Sequence, residues 1–243
     1  MRPGASAAAV QRGEAAPLIV AHRGAWGMAP QNSLEAVDDA VAMGCDAIEI
    51  DVRRTGDGRL VIVHDARVRL RPIGRLEHSQ VQARMKVGQA PLLTDVLRAA
   101  AGRIIVDVEL KEDGYVAEAM TAVTRHLEPE QYVLTSFRAE VLSQVKACAP
   151  GAQTGLLVAA RRVHDLDRRV RAARVDFVAP HISLARTGGL TWAAKRGLPT
   201  WVWTVNDRRG LHDLTADPRV AAVITDRPER ALAIRRLAPF PSR

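Results

Sequence analysis

Residues 18–53 read LIVAHRGAWGMAPQNSLEAVDDAVAMGCDAIEIDVR, and this stretch decides the fold. It opens on an apolar run of strand length, Leu18 to Ala21. A helical pattern follows over Ser33 to Met43, with an apolar stripe of Leu34, Val37 and Val41, Asn32 or Ser33 as cap and Gly44 as stop. A second strand then runs from Ala47 to Arg53. Strand, helix and strand in so short a span make the βαβ unit of a parallel sheet.

The unit recurs down the chain. Further strands are expected near Ile104 to Leu110, Tyr132 to Ser136, Thr154 to Val158, Phe177 to Ala179, Thr200 to Val205 and Ala222 to Thr225. Helices are expected near Thr94 to Ala100, Val116 to Leu127, Ala139 to Ala147, Val163 to Ala173, Gly189 to Arg196, Arg208 to Ala216 and Glu229 to Leu237. One departure interrupts the series: Thr55-Gly56-Asp57-Gly58 makes a tight turn into Arg59 to His64, a small β-hairpin inserted after strand two. Ala66 to Ala90, polar and rich in arginine, reads as loop with at most a short helix. Eight strands alternating with eight helices imply a (β/α)8 barrel, although a doubly wound open sheet gives a similar alternation. In both, polar residues at the C-terminal strand ends form the functional site.

The composition agrees with one such domain. The chain has 243 residues, 47% hydrophobic and 26% charged, which excludes a disordered or fibrous protein. A flexible segment over 1–17, one barrel over 18–237 and a tail over 238–243 account for all of it. The formal net charge is +8, and all but four of the 35 basic residues are arginine. Their scatter indicates a solvated surface rather than a nucleic-acid interface, and it favours approach of an anionic small molecule. Cys45 and Cys148 form no disulfide framework, no secretory leader is visible and no window is long and apolar enough to span a membrane, so a cytoplasmic location is expected.

Chemistry is sought only at strand ends. His22 follows strand one; alone it is as easily a histidine satisfied by neighbouring backbone. Glu49 and Asp51, two apart on one strand, share a face about 7 Å along the chain, while Ile48, Ile50 and Val52 fill the other. Helices cover the outside of a parallel barrel, so the acids point into its mouth. Burying two carboxylates without cations is costly, and a hard divalent cation such as Mg²⁺ or Ca²⁺ resolves the repulsion. On strand three Glu109 can be the third ligand; Lys111 sits where a cation meets a bound phosphate or simply pairs with Glu109. The hairpin ends in His64, so two histidines flank the acids, an arrangement suited to phosphoryl transfer.

The ordered set His22-Arg23-Gly24, Glu49-x-Asp51, His64-Asp65 and Glu109-Leu110-Lys111 closely resembles the glycerophosphodiester phosphodiesterase family, in its short bacterial cytoplasmic form. Pro91 to Leu97, Ser136-Phe137, Gly155-Leu156-Leu157, Trp203 to Asn206 and Ile224 to Pro228 extend the resemblance from Leu18 to about Leu237. It implies an eight-stranded barrel that hydrolyses glycerophosphodiesters to glycerol 3-phosphate and an alcohol with one divalent cation. It further implies Glu49, Asp51 and Glu109 as metal ligands, His22 and His64 as the acid/base pair, Arg23 and Lys111 as phosphate-binding cations, and Trp203 and Phe137 as pocket walls. Cleavage of lysophospholipids by the same residues is the near alternative, and a non-catalytic anion-binding protein the distant one. The sequence does not fix the oligomeric state.

Two positions depart from the family pattern. Gln31 stands where the family usually has Glu, which removes one charge beside the site, and the 66–90 region is a shortened cap whose arginines Arg67, Arg69, Arg71 and Arg75 can meet an anionic head group or solvent. Asp226, at the end of strand eight, is read as capping the following helix, and His181 as a rim residue outside the catalytic set.

Overall fold

The computed structural model describes residues 16–24, 29–86, 89–159 and 165–237. The 238–243 tail and most of the 1–17 segment lie outside the described residues, as do the first two residues of the helix expected from Val163.

Eight parallel strands close into a barrel: β1 (Leu18–Ala21), β2 (Ala47–Arg54), β6 (Ile105–Leu110), β7 (Tyr132–Ser136), β8 (Thr154–Val158), β9 (Phe177–Pro180), β10 (Thr200–Val202) and β11 (Val220–Thr225). Closure comes from β1, which pairs with β11 along its whole length and with β2 through Val20↔Ala47 and Ala21↔Ile48. Since β1 stops at Ala21, the edge of β2 beyond Ile48 is left unpaired on that side. The inserted strand β3 (Leu60–Ile62) takes part of this edge in antiparallel pairing, with Val52↔Ile62 and Arg54↔Leu60. In the gap between them the Asp51 N–H reaches the Asn32 Oδ1 at 3.4 Å, and the Val63 N–H donates to the Asp51 carbonyl at 2.8 Å. The short first strand is what opens the barrel wall to side chains at the position of the acids.

Alternation along the strands sorts side chains as the period of two requires. Leu18, Val20, Ala47, Ile105, Val133, Leu157, Phe177, Trp201 and Ile224 fill the interior. Ile19, Ile48, Ile50, Val106 and Val108 face the helices. The outer layer is α1 (Leu34–Met43), α3 (Leu93–Ala100), α4 (Val116–His126), α5 (Ala139–Cys148), α6 (Leu166–Ala173), the short α7 (Ile182–Leu184) and α8 (Leu190–Ala194), α9 (Arg208–Ala216) and α10 (Pro228–Leu237). Helix α1 is capped by the Ser33 hydroxyl, which accepts from the Ala36 N–H, and ends at Gly44 with φ 80°.

Several sequence expectations are corrected. The buried face of α1 is Ala36, Val37 and Ala40, with Leu34 on the exposed side, because small residues are needed where α1 meets Gly24: a Cβ there would lie 2.5 Å from that of Ala36. The strand expected to reach Val205 ends at Val202, beyond which Trp203 makes only an isolated bridge to His181. The helix expected over Gly189 to Arg196 is preceded by α7 and a π-turn over Ala185–Gly189. The 66–90 region is not plain loop. Strands β4 (Arg67–Val68) and β5 (Arg71–Pro72), a 3₁₀ turn and α2 (His78–Gln82) pack Val68, Ile73, Leu76 and Val81 onto Val61 and Val63 as a small core of their own.

One interior contact leaves no slack. A Cβ on Gly155 would lie 2.1 Å from Phe177 Cε2, and Phe177 is itself stacked on Trp201 at 4.7 Å between ring centroids. Gly155→Ala is therefore expected to destabilise the barrel by about 2–3 kcal/mol. Urea denaturation followed by circular dichroism checks this, and an unchanged midpoint would show that the aromatic pair is loosely held.

Candidate active site

Glu49 and Asp51 on β2 and Glu109 on β6 meet at the C-terminal mouth, brought level by the register Asp51↔Glu109. One oxygen from each lies within 4.8 Å of the others, and all three residues are buried. Cations and an amide surround them. Lys111 Nζ is 2.6 Å from Asp51 Oδ1 and 2.7 Å from Glu109 Oε2. Arg23 Nε is 3.2 Å from Asp51 Oδ2, the Arg23 N–H donates to Glu49 Oε2 at 3.0 Å, and Asn32 Nδ2 donates to Asp51 Oδ2 at 2.8 Å. The chain after β1 wraps back to do this through left-handed backbone at Arg23 (φ 57°), Gly24 (φ 85°) and Asn32 (φ 56°).

The three carboxylates do not share the compensation equally. Burial, reinforced by the negative charges of Asp51 and Glu109, pushes the pKa of Glu49 well above the usual carboxylate range. Burial also pushes Glu109 up to about 7, against the pull of Lys111. At Asp51 burial acts in the same sense, but Lys111 and Arg23 together overcome it and hold the group at about 2. Those same carboxylates hold the Lys111 ammonium pKa above its ordinary value despite burial. Asp107, one step of the pleat deeper, is buried with a hydrogen bond from Thr135 at 2.6 Å, and burial pushes its pKa up to about 8.

Two oxygens, Glu49 Oε1 and Glu109 Oε1, are buried without a hydrogen-bond partner. An all-oxygen set with unsatisfied lone pairs and excess negative charge fits a hard divalent cation. Lys111 stands between two of the expected ligands, paired with both Asp51 and Glu109.

Each histidine is held by a carboxylate. His22 Nδ1 is 2.6 Å from Asp226 Oδ1, and its Nε2 is 3.9 Å from Glu49 Oε2. His64 Nδ1 is 2.8 Å from Asp65 Oδ1. With Nδ1 donating to the acid, Nε2 of each ring is left to exchange a proton. Burial lowers the His64 pKa below its ordinary value. The Asp226 carboxylate, whose pKa burial would raise, is held below the usual range by its hydrogen bond from His22.

Asp226 corrects a sequence expectation. Its second oxygen accepts from Asn206 Nδ2 at 2.6 Å, while the N–H of Arg227 is taken by the Thr225 hydroxyl at 2.9 Å. Both carboxylate oxygens are thus committed to the site and not to capping α10. Only the closure of β11 onto β1 places it beside His22, 204 residues away in sequence, so no local signal marks it.

A cavity of about 90 Å³ is lined by His22, Arg23, Glu49, His64, Glu109, Lys111, Phe137 and Trp203, together with Thr135, Leu157 and Ile224. Phe137 and Trp203 meet edge to face at 5.4 Å and close one side. The expected site residues thus converge, with Asp51 level with Glu109 but not on the cavity lining. His181 stacks edge-on against Trp203 at 5.0 Å and bonds Ser183, outside the cavity. Gln31 accepts from Arg23 Nη1 at 3.0 Å.

The profile of the Glycerophosphoryl diester phosphodiesterase family matches residues 22–230. A glycerophosphodiester phosphodiesterase of Caldanaerobacter subterraneus is 27% identical, covering 87% of this chain and 95% of its own. The probable glycerophosphodiester phosphodiesterase 2 of Mycobacterium tuberculosis is 30% identical over 86% of this chain and 87% of its own. Among solved structures, an Oleispira antarctica phosphodiesterase in complex with the product sn-glycerol-3-phosphate superposes with a TM-score of 0.75 at 23% identity, covering 90% of this chain and 96% of that one.

The carboxylate cluster sets a pH dependence. Glu109, raised from 4.5 to about 7, and Glu49 hold protons in the folded chain where the unfolded chain has released them. The folded state then binds more protons, so metal-free stability falls as pH rises from 4.5 through about 7. A divalent cation bound by the three carboxylates would replace those protons. Addition of Mg²⁺ or Ca²⁺ is expected to raise the melting temperature more at pH 8 than at pH 5, and Glu109→Gln to remove most of that difference. Differential scanning fluorimetry reads both, and an equal cation effect at the two pH values would argue against the cluster as its site.

Proposed function

The chain belongs to the Glycerophosphoryl diester phosphodiesterase family and is an enzyme of that class, and we propose that it hydrolyses glycerophosphodiesters to sn-glycerol 3-phosphate and an alcohol with one divalent cation and two histidines. The observation that carries this reading is the single cavity on which His22, His64, Arg23, Lys111, Glu49 and Glu109 converge.

Arg23 and Lys111 supply positive charge where the phosphoryl oxygens lie, and that charge stabilises the additional negative charge of the transition state. One imidazole accepts the proton of the attacking hydroxyl, from water or from the neighbouring glycerol hydroxyl, as the new P–O bond forms; in the second case a cyclic phosphate results, and water then attacks it, breaking the ring P–O bond to leave sn-glycerol 3-phosphate. The other gives its proton to the oxygen of the departing alcohol as the old P–O bond breaks. Asp226 and Asp65 fix the ring tautomers and stabilise whichever imidazole carries the charge. Glu49, Asp51 and Glu109 would hold the cation, which supplies Lewis-acid stabilisation of the phosphoryl charge. Phe137 and Trp203 wall the pocket and exclude water from one side.

Release of sn-glycerol 3-phosphate from glycerophosphocholine is expected to stop on treatment with EDTA and to return with Mg²⁺ or Ca²⁺. No release with either cation would overturn the reading, and faster release of lysophosphatidic acid from lysophosphatidylcholine would move it to lysophospholipid cleavage. His22→Ala and His64→Ala are each expected to lose about 10²–10⁴ in kcat/KM with the melting temperature kept. Asp226→Asn should lower kcat and displace the pH profile while leaving KM nearly unchanged; wild-type kinetics in any of the three would remove that residue from the mechanism.

A further inference from the structure

A second groove, of about 390 Å³, opens from the catalytic cavity and shares Arg23 and His64 with it. Its walls come from the end of the inserted hairpin, from β4 and the turn after it, and from the end of α2, and they carry Arg67, Arg69, Arg84 and Lys86. None of these four cations has a carboxylate partner among the described residues. Asp65, the one carboxylate on the lining, is engaged by His64. Arg23, shared by the two, donates to the neutral Gln31 amide at 3.0 Å and pairs with Asp51, which is not on the groove lining, at 3.2 Å.

The opposite flank differs. A larger groove of about 1100 Å³ beside Phe137 also holds arginines, but Arg138 pairs with Glu140 at 3.4 Å and Arg168 with Asp165 at 2.7 Å. Unpaired charge is concentrated on the His64 side. Four like charges around one groove repel one another, and an anion entering it relieves the repulsion. The Debye length of about 8 Å at physiological salt leaves such short-range attraction effective.

We propose that this groove receives the alcohol arm of the diester and selects substrates in which that arm carries a further negative charge, such as a phosphomonoester. The assignment rests on the phosphodiesterase reading above. Arg67 and Arg84 already donate to backbone carbonyls, of Leu70 and Gln80 respectively, which fixes their guanidinium groups at the rim. Arg69 and Lys86 have no side-chain bond of their own and are free to close on the incoming anion. A cationic head group such as choline meets the groove with like charge.

The test compares kcat/KM for glycerophosphocholine, glycerophosphoinositol and glycerophosphoinositol 4-phosphate at low and at physiological salt. The phosphorylated inositol is expected to exceed the unphosphorylated one by about tenfold at low salt, less at high salt, with choline lowest. Arg69→Glu and Lys86→Glu, singly and together, should bring the ratio of phosphorylated to plain inositol toward unity, whereas Arg69→Lys should keep it. Equal kcat/KM for the two inositol substrates, or a ratio unmoved by the charge reversals, would overturn the groove assignment and leave the hydrolysis reading intact. Turnover of none of the three would overturn both.

Discussion

Three carboxylates buried within 4.8 Å of one another at the mouth of a barrel are the constraint around which this molecule is arranged. Like charges at that separation in a protein interior cannot all ionise without compensation. The chain meets the demand with fixed cations, Lys111 and Arg23, with the Asn32 amide, and with two oxygens left open for a hard cation. The result is uneven: Asp51 is held ionised while Glu49 and Glu109 are pushed toward the protonated form, so that a proton and a metal ion would compete for the same oxygens. The same uneven field surrounds any phosphoryl group that enters.

The barrel serves this cluster by geometry. Parallel register levels Asp51 with Glu109, and the early end of β1 opens the wall beside β2 so that Arg23 and Asn32 can reach inward. Left-handed backbone at Arg23 and Asn32 is local strain maintained by those same contacts. The inserted hairpin brings His64 in from one side, and closure of β11 onto β1 brings Asp226 to His22 on the other. Each imidazole is thereby oriented by an acid from its own rim.

Beyond the cavity the two flanks are charged differently, and the difference lies in pairing more than in composition. Beside α5 and α6, Arg138 and Arg168 pair with Glu140 and Asp165, whereas Arg67, Arg69 and Arg84 of the shortened cap meet no carboxylate among the described residues. That cap has its own small core of Val68, Ile73, Leu76 and Val81, which holds the backbone that carries its cations. Among the described residues no helix is long and apolar enough to cross a membrane.

Much of this was legible in the sequence because it obeys short-range rules. The period of two along β2 and β6 assigned Glu49, Asp51 and Glu109 to one face, and apolar runs between helical segments counted the eight strands; burial on both sides of a parallel sheet makes those patterns strict. The chemical set could then be recognised residue by residue. What the sequence could not carry depends on contacts between distant segments. Asp226 reads locally as a helix cap and becomes the partner of His22 only when the barrel closes; the stripe of α1 turns to its alanines only because Gly24 lies against it; and the cationic groove exists only because the folded cap brings Arg67, Arg69, Arg84 and Lys86 around one opening. Local pattern determined which side chains face inward, since that follows from the pleat and the helical turn, whereas tertiary structure decided which charges meet, since that follows from closure of the sheet.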